Sequence, residues 1–145
     1  MRNEIDSCRY LYLRAVDEPE ELRLRVVVDE ARATGSPEDL GVAGNVVSGY
    51  GPIVSDVGCR SFELIWASYV AYSVRNESFC CLDKAEAWTG RLLCKYSKSH
   101  FLNYVKQATI ARDDYPGPVH HWGVNCLNHI VDVASIVEPT VRLIG

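Results

Sequence analysis

His120, His121, Cys126, His129 and Asp132 form the densest run of reactive side chains in this 145-residue chain. Imidazole, thiol and carboxylate groups in one stretch suit metal ligation, nucleophilic attack assisted by a base, or proton transfer. Strand geometry narrows these options. If 119–124 is a strand, His120 and His121 face opposite ways. If 127–136 is a strand, His129 shares a face with Leu127, Val131 and Val133, while Cys126, Asn128 and Asp132 look the other way. One ion would then draw one or two ligands from each strand, whereas structural zinc takes roughly four and catalytic zinc about three. We therefore expect no metal and no cofactor.

Nucleophilic chemistry meets similar limits. A Ser-His-Asp triad assembles in space, so its absence from the string excludes nothing. The chain has no G-x-S-x-G elbow, however, and Cys126 before Leu127 reads as a small core residue. Cys80, Cys81 and Cys94, flanked by Phe79, Leu82, Leu92 and Leu93, read the same way. Gly49-Tyr50-Gly51-Pro52 matches neither a Walker loop nor a dinucleotide fingerprint, and is expected to form a turn. A second polar cluster, Arg75-Asn76-Glu77, offers Glu77 as a general base or Arg75 as an anion clamp. Those two residues with His120, His121 and His129 are the candidate catalytic set. Its plain alternative is an Arg–Glu pair that holds a loop.

The acidic residues cluster as Asp17, Glu18, Glu20 and Glu21, then Glu38 and Asp39, then Asp113 and Asp114. With a formal charge of −4 and a pI near 5.5, they argue against a partner held through phosphates and favour a basic protein. Beside the last cluster, Tyr115 and Trp122 flank a Pro-rich loop, and Tyr69 lies on the polar parity of a long alternating segment. Aromatic side chains at such places supply binding anchors. Asp113, Asp114, Tyr115, Trp122 and Tyr69 are the expected binding residues.

The alternating segment, 62–75, must position much of this. Phe62, Leu64, Trp66, Val70, Tyr72 and Val74 share one parity, broken only by Ser68, and predict one long spine strand. Residues 9–16 and 22–30 predict a hairpin turning on Asp17-Glu18-Pro19-Glu20. The Gly-, Ser- and Pro-richer stretch 33–58 predicts a loop, or a short helix capped at Ser36 with Pro37 in its first turn, then short strands around 46–54. A strand near 88–96 follows, then a helix at roughly 98–110 capped by Ser97 or Ser99, in which Phe101, Leu102, Val105 and Ala108 repeat at helical spacing. Closing strands are expected near 119–124, 127–136 and 140–144.

Strand after strand with one late helix excludes a doubly wound nucleotide-binding fold. We expect one domain over 1–145 of α+β class: a single twisted, mainly antiparallel sheet of about 7–9 strands with one or two helices packed on it. A small closed barrel is the second choice. With no signal peptide, and no apolar run of about 18 residues to span a bilayer, a cytoplasmic protein with reduced cysteines is expected. The function that fits best is a non-enzymatic protein-binding module, an inhibitor or immunity-type protein that neutralises a basic toxin or enzyme. A small enzyme using Glu77 and the C-terminal histidines is the alternative, and a sheet or barrel binding a small molecule is the third.

Overall fold

Residues 62–66 and 71–76 keep one alternation yet serve two sheets. In the computed structural model, which describes residues 2–33, 38–42, 45–50 and 53–145 with side chains over 4–33 and 53–145, the expected spine is broken at 67–70. Strand β6 (Ser61–Trp66) ends in one sheet and β7 (Ala71–Asn76) begins in another. The four-residue crossing preserves parity, so even-numbered side chains face the interior from both sides and the sequence reads as one strand. Ser68 marks the break, its carbonyl accepting from the Ser135 hydroxyl at 2.6 Å.

The first sheet holds β1 (Tyr10–Glu20), β2 (Arg23–Ala33), β6 and β12 (Thr140–Leu143) in that order, with β5 (Ile53–Val54) pairing the end of β2. Strands β3 (Glu38–Val42) and β4 (Asn45–Tyr50) make a separate hairpin. The second sheet runs β7, β11 (His129–Ser135), β10 (His120–Asn125), β9 (Leu93–Lys98) and β8 (Ala87–Thr89). All these pairings are antiparallel. The fold is α+β and mostly sheet, and the expected single sheet is corrected to two five-stranded ones. The expected cap at Ser36 and Pro37, and parts of the Gly-rich stretch, lie outside the described residues.

Alternation explains the core. Leu24, Val26 and Val28 of β2 lie opposite Trp66, Leu64 and Phe62 of β6, and all six are buried. They face Leu93, Trp122, Val124, Val131 and Val133 from the second sheet. Trp66 and Trp122 meet edge to face across the gap, with ring centroids 6.4 Å apart. A face-to-face packing of this kind fills the space between the sheets with interdigitated side chains.

A short helix at the N-terminus, α1 (Arg2–Ser7), was not legible in the sequence. It is fixed by tertiary contacts: Ile5 and Cys8 enter the core, and Asp6 accepts from the backbone N–H groups of Leu92 and Leu93 at 2.8 and 2.9 Å. Arg91 donates to the carbonyls of Asp6, Cys8 and Arg9 at the end of this helix. The second helix, α2 (His100–Ala108), is the expected one, and Ser99 is its cap, accepting from Leu102 N–H at 3.0 Å. Between β8 and β9 the chain turns at Gly90, whose φ of 92° and close approach to the Leu93 carbonyl leave no room for a Cβ. Among the described residues no helix is long and apolar enough to cross a membrane.

Two buried glutamates tie strands together. Glu63, on the outer side of the first sheet, accepts from Arg25 Nε at 2.7 Å and from Arg142 at 2.6 Å, and Glu30 is held by Arg60 at 3.0 Å. The arginine hydrogen bonds hold both carboxyls below their ordinary value of 4.5. A depressed folded-state value contributes stability that is full above the unfolded pKa and lost as pH falls through the folded one. Glu63→Gln is therefore expected to flatten the loss of thermal stability below pH 4.5, measured by unfolding across pH. An unchanged acid limb would contradict the pairing.

Candidate functional site

The β10–β11 hairpin sets the geometry of the reactive run. Its register places His121 opposite Ala134 and Gly123 opposite Asp132, so His121 and Asp132 are diagonal neighbours on the outer face of the second sheet. His120, Trp122 and Val124 occupy the other parity. On the flanking strands, Tyr96 lies opposite His121 and Ser73 opposite Asp132, which brings Arg75 to the same face.

These side chains form one relay. The Ser99 hydroxyl meets His121 Nδ1 at 2.7 Å, His121 Nε2 meets Asp132 Oδ1 at 2.7 Å, and Asp132 Oδ2 accepts from Arg75 Nε at 3.0 Å. A carboxylate only accepts, so Nε2 donates to Asp132, and in the neutral imidazole Nδ1 accepts from the serine hydroxyl. The imidazole lies 4.1 Å from the Tyr96 ring and nearly parallel to it, with Phe101 tilted against it at 4.9 Å. Gly123 makes this stack possible, because a Cβ there would come within 2.9 Å of the tyrosine ring.

The contact order Ser-His-Asp is that of an activated nucleophile. The surroundings differ from those of a working one. Ser99 is 4% exposed and His121 is 1% exposed. The Ser99 oxygen is engaged twice, by the imidazole and by the first turn of α2. Its position suits a clamp that fastens the helix to the sheet. Among the described residues no cluster of three or more His, Cys, Asp or Glu side chains is placed to hold a metal ion.

Above the relay lies an open groove on the same face. It consists of two hollows of about 260 and 330 Å³ that share Arg75, Cys81, Asp83, Glu86 and Tyr96. The first extends past Glu77, Leu82 and Trp88, and the second reaches His100, Phe101 and Tyr104 on α2. The segment between β7 and β8, which starts with a 3-10 turn at Glu77–Phe79, forms one wall. Asp83 binds the Ala85 N–H at 2.8 Å and His100 Nε2 at 2.7 Å, and Glu86 accepts from the His100 N–H at 3.1 Å. The Asp83 carboxyl is held below its ordinary value, first by the Ala85 N–H and then by His100. Asp83 raises the His100 imidazole above 6.5 in turn. Burial pushes the Tyr96 phenol up to about 12. Asp83→Asn should bring the His100 titration back towards 6.5 in an NMR pH series, whereas an unmoved midpoint would mean the pair does not form in solution.

The expected residues divide clearly. Arg75 and His121 are joined through Asp132, and Glu77 lines the groove beside Arg75. His120 stands on the opposite parity, edge-on to Trp122 at 5.7 Å. His129 pairs with Asn76, and its buried Nδ1 has no hydrogen-bond partner among the described residues. Asp113 and Asp114 are exposed, and Tyr115 beside them is 62% exposed. Backbone bonds between Arg112 and Tyr115, at 2.6 and 3.0 Å, pin that loop. Trp122 must be corrected: at 1% exposure it packs in the core and has no surface to offer, because strand parity turns it inward while its neighbours bound the loop. Tyr69 is half-buried, edge-on to Tyr72, and its hydroxyl donates to Glu18 at 2.6 Å, so its phenol is pushed up to about 12 by that bond. Sequence reasoning missed Ser99 and Asp132 as relay members and Asp83, Glu86, Trp88 and Tyr96 as groove residues. Only the hairpin register, with its turn at 126–128, carried a signal, and it pointed to Asp132 and not to Ser99.

Comparison with known proteins finds no matching family, no matching curated relative and no matching solved structure.

Proposed function

We propose that this protein is a non-enzymatic protein-binding module, an inhibitor or immunity-type protein that neutralises a basic toxin or enzyme in the cytoplasm. One contrast carries the reading. Ser99, His121, Asp132 and Arg75 satisfy one another, while carboxylates and large apolar side chains share the surface near both ends of α2. Asp113, Asp114 and Tyr115 lie in the loop that follows α2, Asp83 and Glu86 lie against its first residue His100, and Glu77 and Leu82 line the adjoining hollow. Clustered carboxylates speed encounter with a basic partner and reject acidic ones, and exposed aromatic or apolar anchors slow its release.

The test is affinity capture from the native cell, followed by separate purification of the captured protein and reconstitution. A stoichiometric complex whose association slows as salt rises is expected. Asp113→Asn with Asp114→Asn should slow it roughly threefold to tenfold at low salt, leaving dissociation nearly unchanged. Tyr115→Ala should raise the dissociation rate instead. The rival reading is a small enzyme working through Glu77 and His121, and the Ser99–His121–Asp132 contact order favours it. A purified protein that turns over a substrate, and loses that activity in Glu77→Gln, would establish the rival and overturn the binding module.

A further inference from the structure

We infer that the outer edge of β7 is a self-association surface, on which a second copy of this chain adds its own β7 in antiparallel pairing about a two-fold axis at Ser73. The inference stands apart from the protein partner proposed above. It starts from the ends of the two main sheets, where β1, β12, β7 and β8 each have one paired side and one open side. An open edge invites pairing with another chain, and shortness, charge, proline or a cover blocks that pairing. Three of these four edges are blocked. β8 has three residues and an irregular register, while β12 has four, follows Pro139 and carries Arg142. Along β1, the Leu127 N–H reaches the Leu11 carbonyl at 2.8 Å, and the Asn128 amide group binds the Leu13 N–H and carbonyl at 3.0 and 3.2 Å. Asp17-Glu18-Pro19-Glu20 occupies the rest of that strand.

β7 has none of these devices. Its six residues, Ala-Tyr-Ser-Val-Arg-Asn, pair with β11 alone among the described residues, and its one charge, Arg75, is matched by Asp132 at 3.0 Å. An apolar side chain also overhangs the edge. Val74 lies on the inward parity opposite the fully buried Val131, yet it is 43% exposed, because no strand stands beyond it. Tyr72, opposite the buried Val133, is half-buried beside it.

These side chains fit a second copy of themselves. A two-fold axis normal to the sheet keeps inward faces inward, so residues of equal parity meet across the new pair. With Ser73 on the axis, Tyr72 lies across from Val74 of the second copy, and the same contact repeats on the other side. Aromatic and β-branched side chains directly opposite each other stabilise a strand pair. Arg75 lies across from Ala71, so no like charges meet. β1 runs beside β7 in the opposite sense: Leu13 is bonded to Asn128 near the Asn76 end, and Glu18 accepts from the Tyr69 hydroxyl at 2.6 Å near the Ala71 end. The same axis therefore brings Asp17 and Glu18 of the second copy towards the half-exposed Arg14, and the charges of the two copies complement each other.

The experiment uses the full chain alone. One strand edge buries less than a standard stable interface, so sedimentation velocity from roughly 10 to 500 μM should show a reversible monomer–dimer equilibrium. In a sample mixing isotope-labelled and unlabelled copies, isotope-filtered NOEs should join the Tyr72 ring of one copy to the Val74 methyl groups of the other. Val74→Lys places a charge on the edge and should weaken dimerisation at least about tenfold, with the unfolding midpoint within a few degrees of the parent. Val74→Ala should weaken it roughly threefold. Leu143→Lys, at a residue equally exposed on the β12 edge, should leave it unchanged. A monomer at every concentration would overturn the inference. So would a dimer that survives a folded Val74→Lys, or one whose filtered NOEs lie away from Tyr72 and Val74. The mixed-label measurement needs no variant, so it decides the question even where Val74→Lys fails to fold. A chain that is monomeric alone and pairs its β7 with a strand of the reconstituted protein partner would keep the binding module and discard self-association.

Discussion

Trp66→Ala is expected to destabilise the protein by about 3–5 kcal/mol, the range for deleting a large buried aromatic side chain. Trp66 is fully buried, is the last residue of its strand, and meets Trp122 across the inter-sheet gap. Its loss opens a cavity where two sheets touch, a place that cannot collapse without shifting one sheet against the other. Trp66→Phe separates packing from polarity. The indole Nε1 has no hydrogen-bond partner among the described residues, so the smaller ring loses contacts but also removes a buried donor that none of them satisfies. That variant should cost well under half as much, about 1–2 kcal/mol. Urea unfolding at constant m-value measures both. An alanine cost under about 1 kcal/mol would mean the two tryptophans do not carry the contact between sheets.

A loss of comparable size is expected for His121→Ala. The imidazole is the centre of the relay, so its removal strands the Ser99 hydroxyl on one side and leaves Asp132 with Arg75 alone on the other. It also withdraws the ring that stacks on Tyr96 and touches Phe101. A hydrogen bond to a charged group contributes about 1.5–3 kcal/mol, and the cavity left by the ring adds to that, so a total of about 3–5 kcal/mol is expected. Ser99→Ala should cost less, about 1–2 kcal/mol, for the lost helix cap and its bond to the imidazole. The double variant should fall short of the sum, because the Ser99–His121 bond can be lost only once. Strict additivity would show that the two residues do not interact in solution. A cost for His121→Ala under about 1 kcal/mol would show that the relay does not clamp α2.

Local patterns carried the elements well and their assembly poorly. The two strands of the first hairpin, the helix capped by Ser99 and the three closing strands were legible because alternation and cap chemistry act over a few positions. The expected turn at Asp17-Glu18-Pro19-Glu20 is corrected: those residues continue β1, and the chain turns at Glu21-Leu22. The break after Trp66 was hidden because a crossing of four residues keeps parity, so periodicity is the same for one long strand and for two strands facing each other. Helix α1 was hidden because its stability comes from Asp6 and Arg91, 85 residues apart, rather than from its own sequence. At the site, the opposite facing of His120 and His121 followed from parity. The meeting of His121 with Asp132 required the hairpin register, and that of Ser99 with His121 required a helix packed on the far side of the sheet. The groove was least legible of all, since Arg75, Asp83, Glu86 and Tyr96 come from three stretches that share no motif.

The claim that this face of the second sheet binds a protein is tested most directly by hydrogen–deuterium exchange of the chain alone and in complex with its reconstituted partner. The account predicts slowed exchange in the segment 77–88, in β9 and at the start of α2, with the outer face of the first sheet unchanged. Protection confined to β1, β2 and β12, with segment 77–88 exchanging as in the free protein, would contradict it.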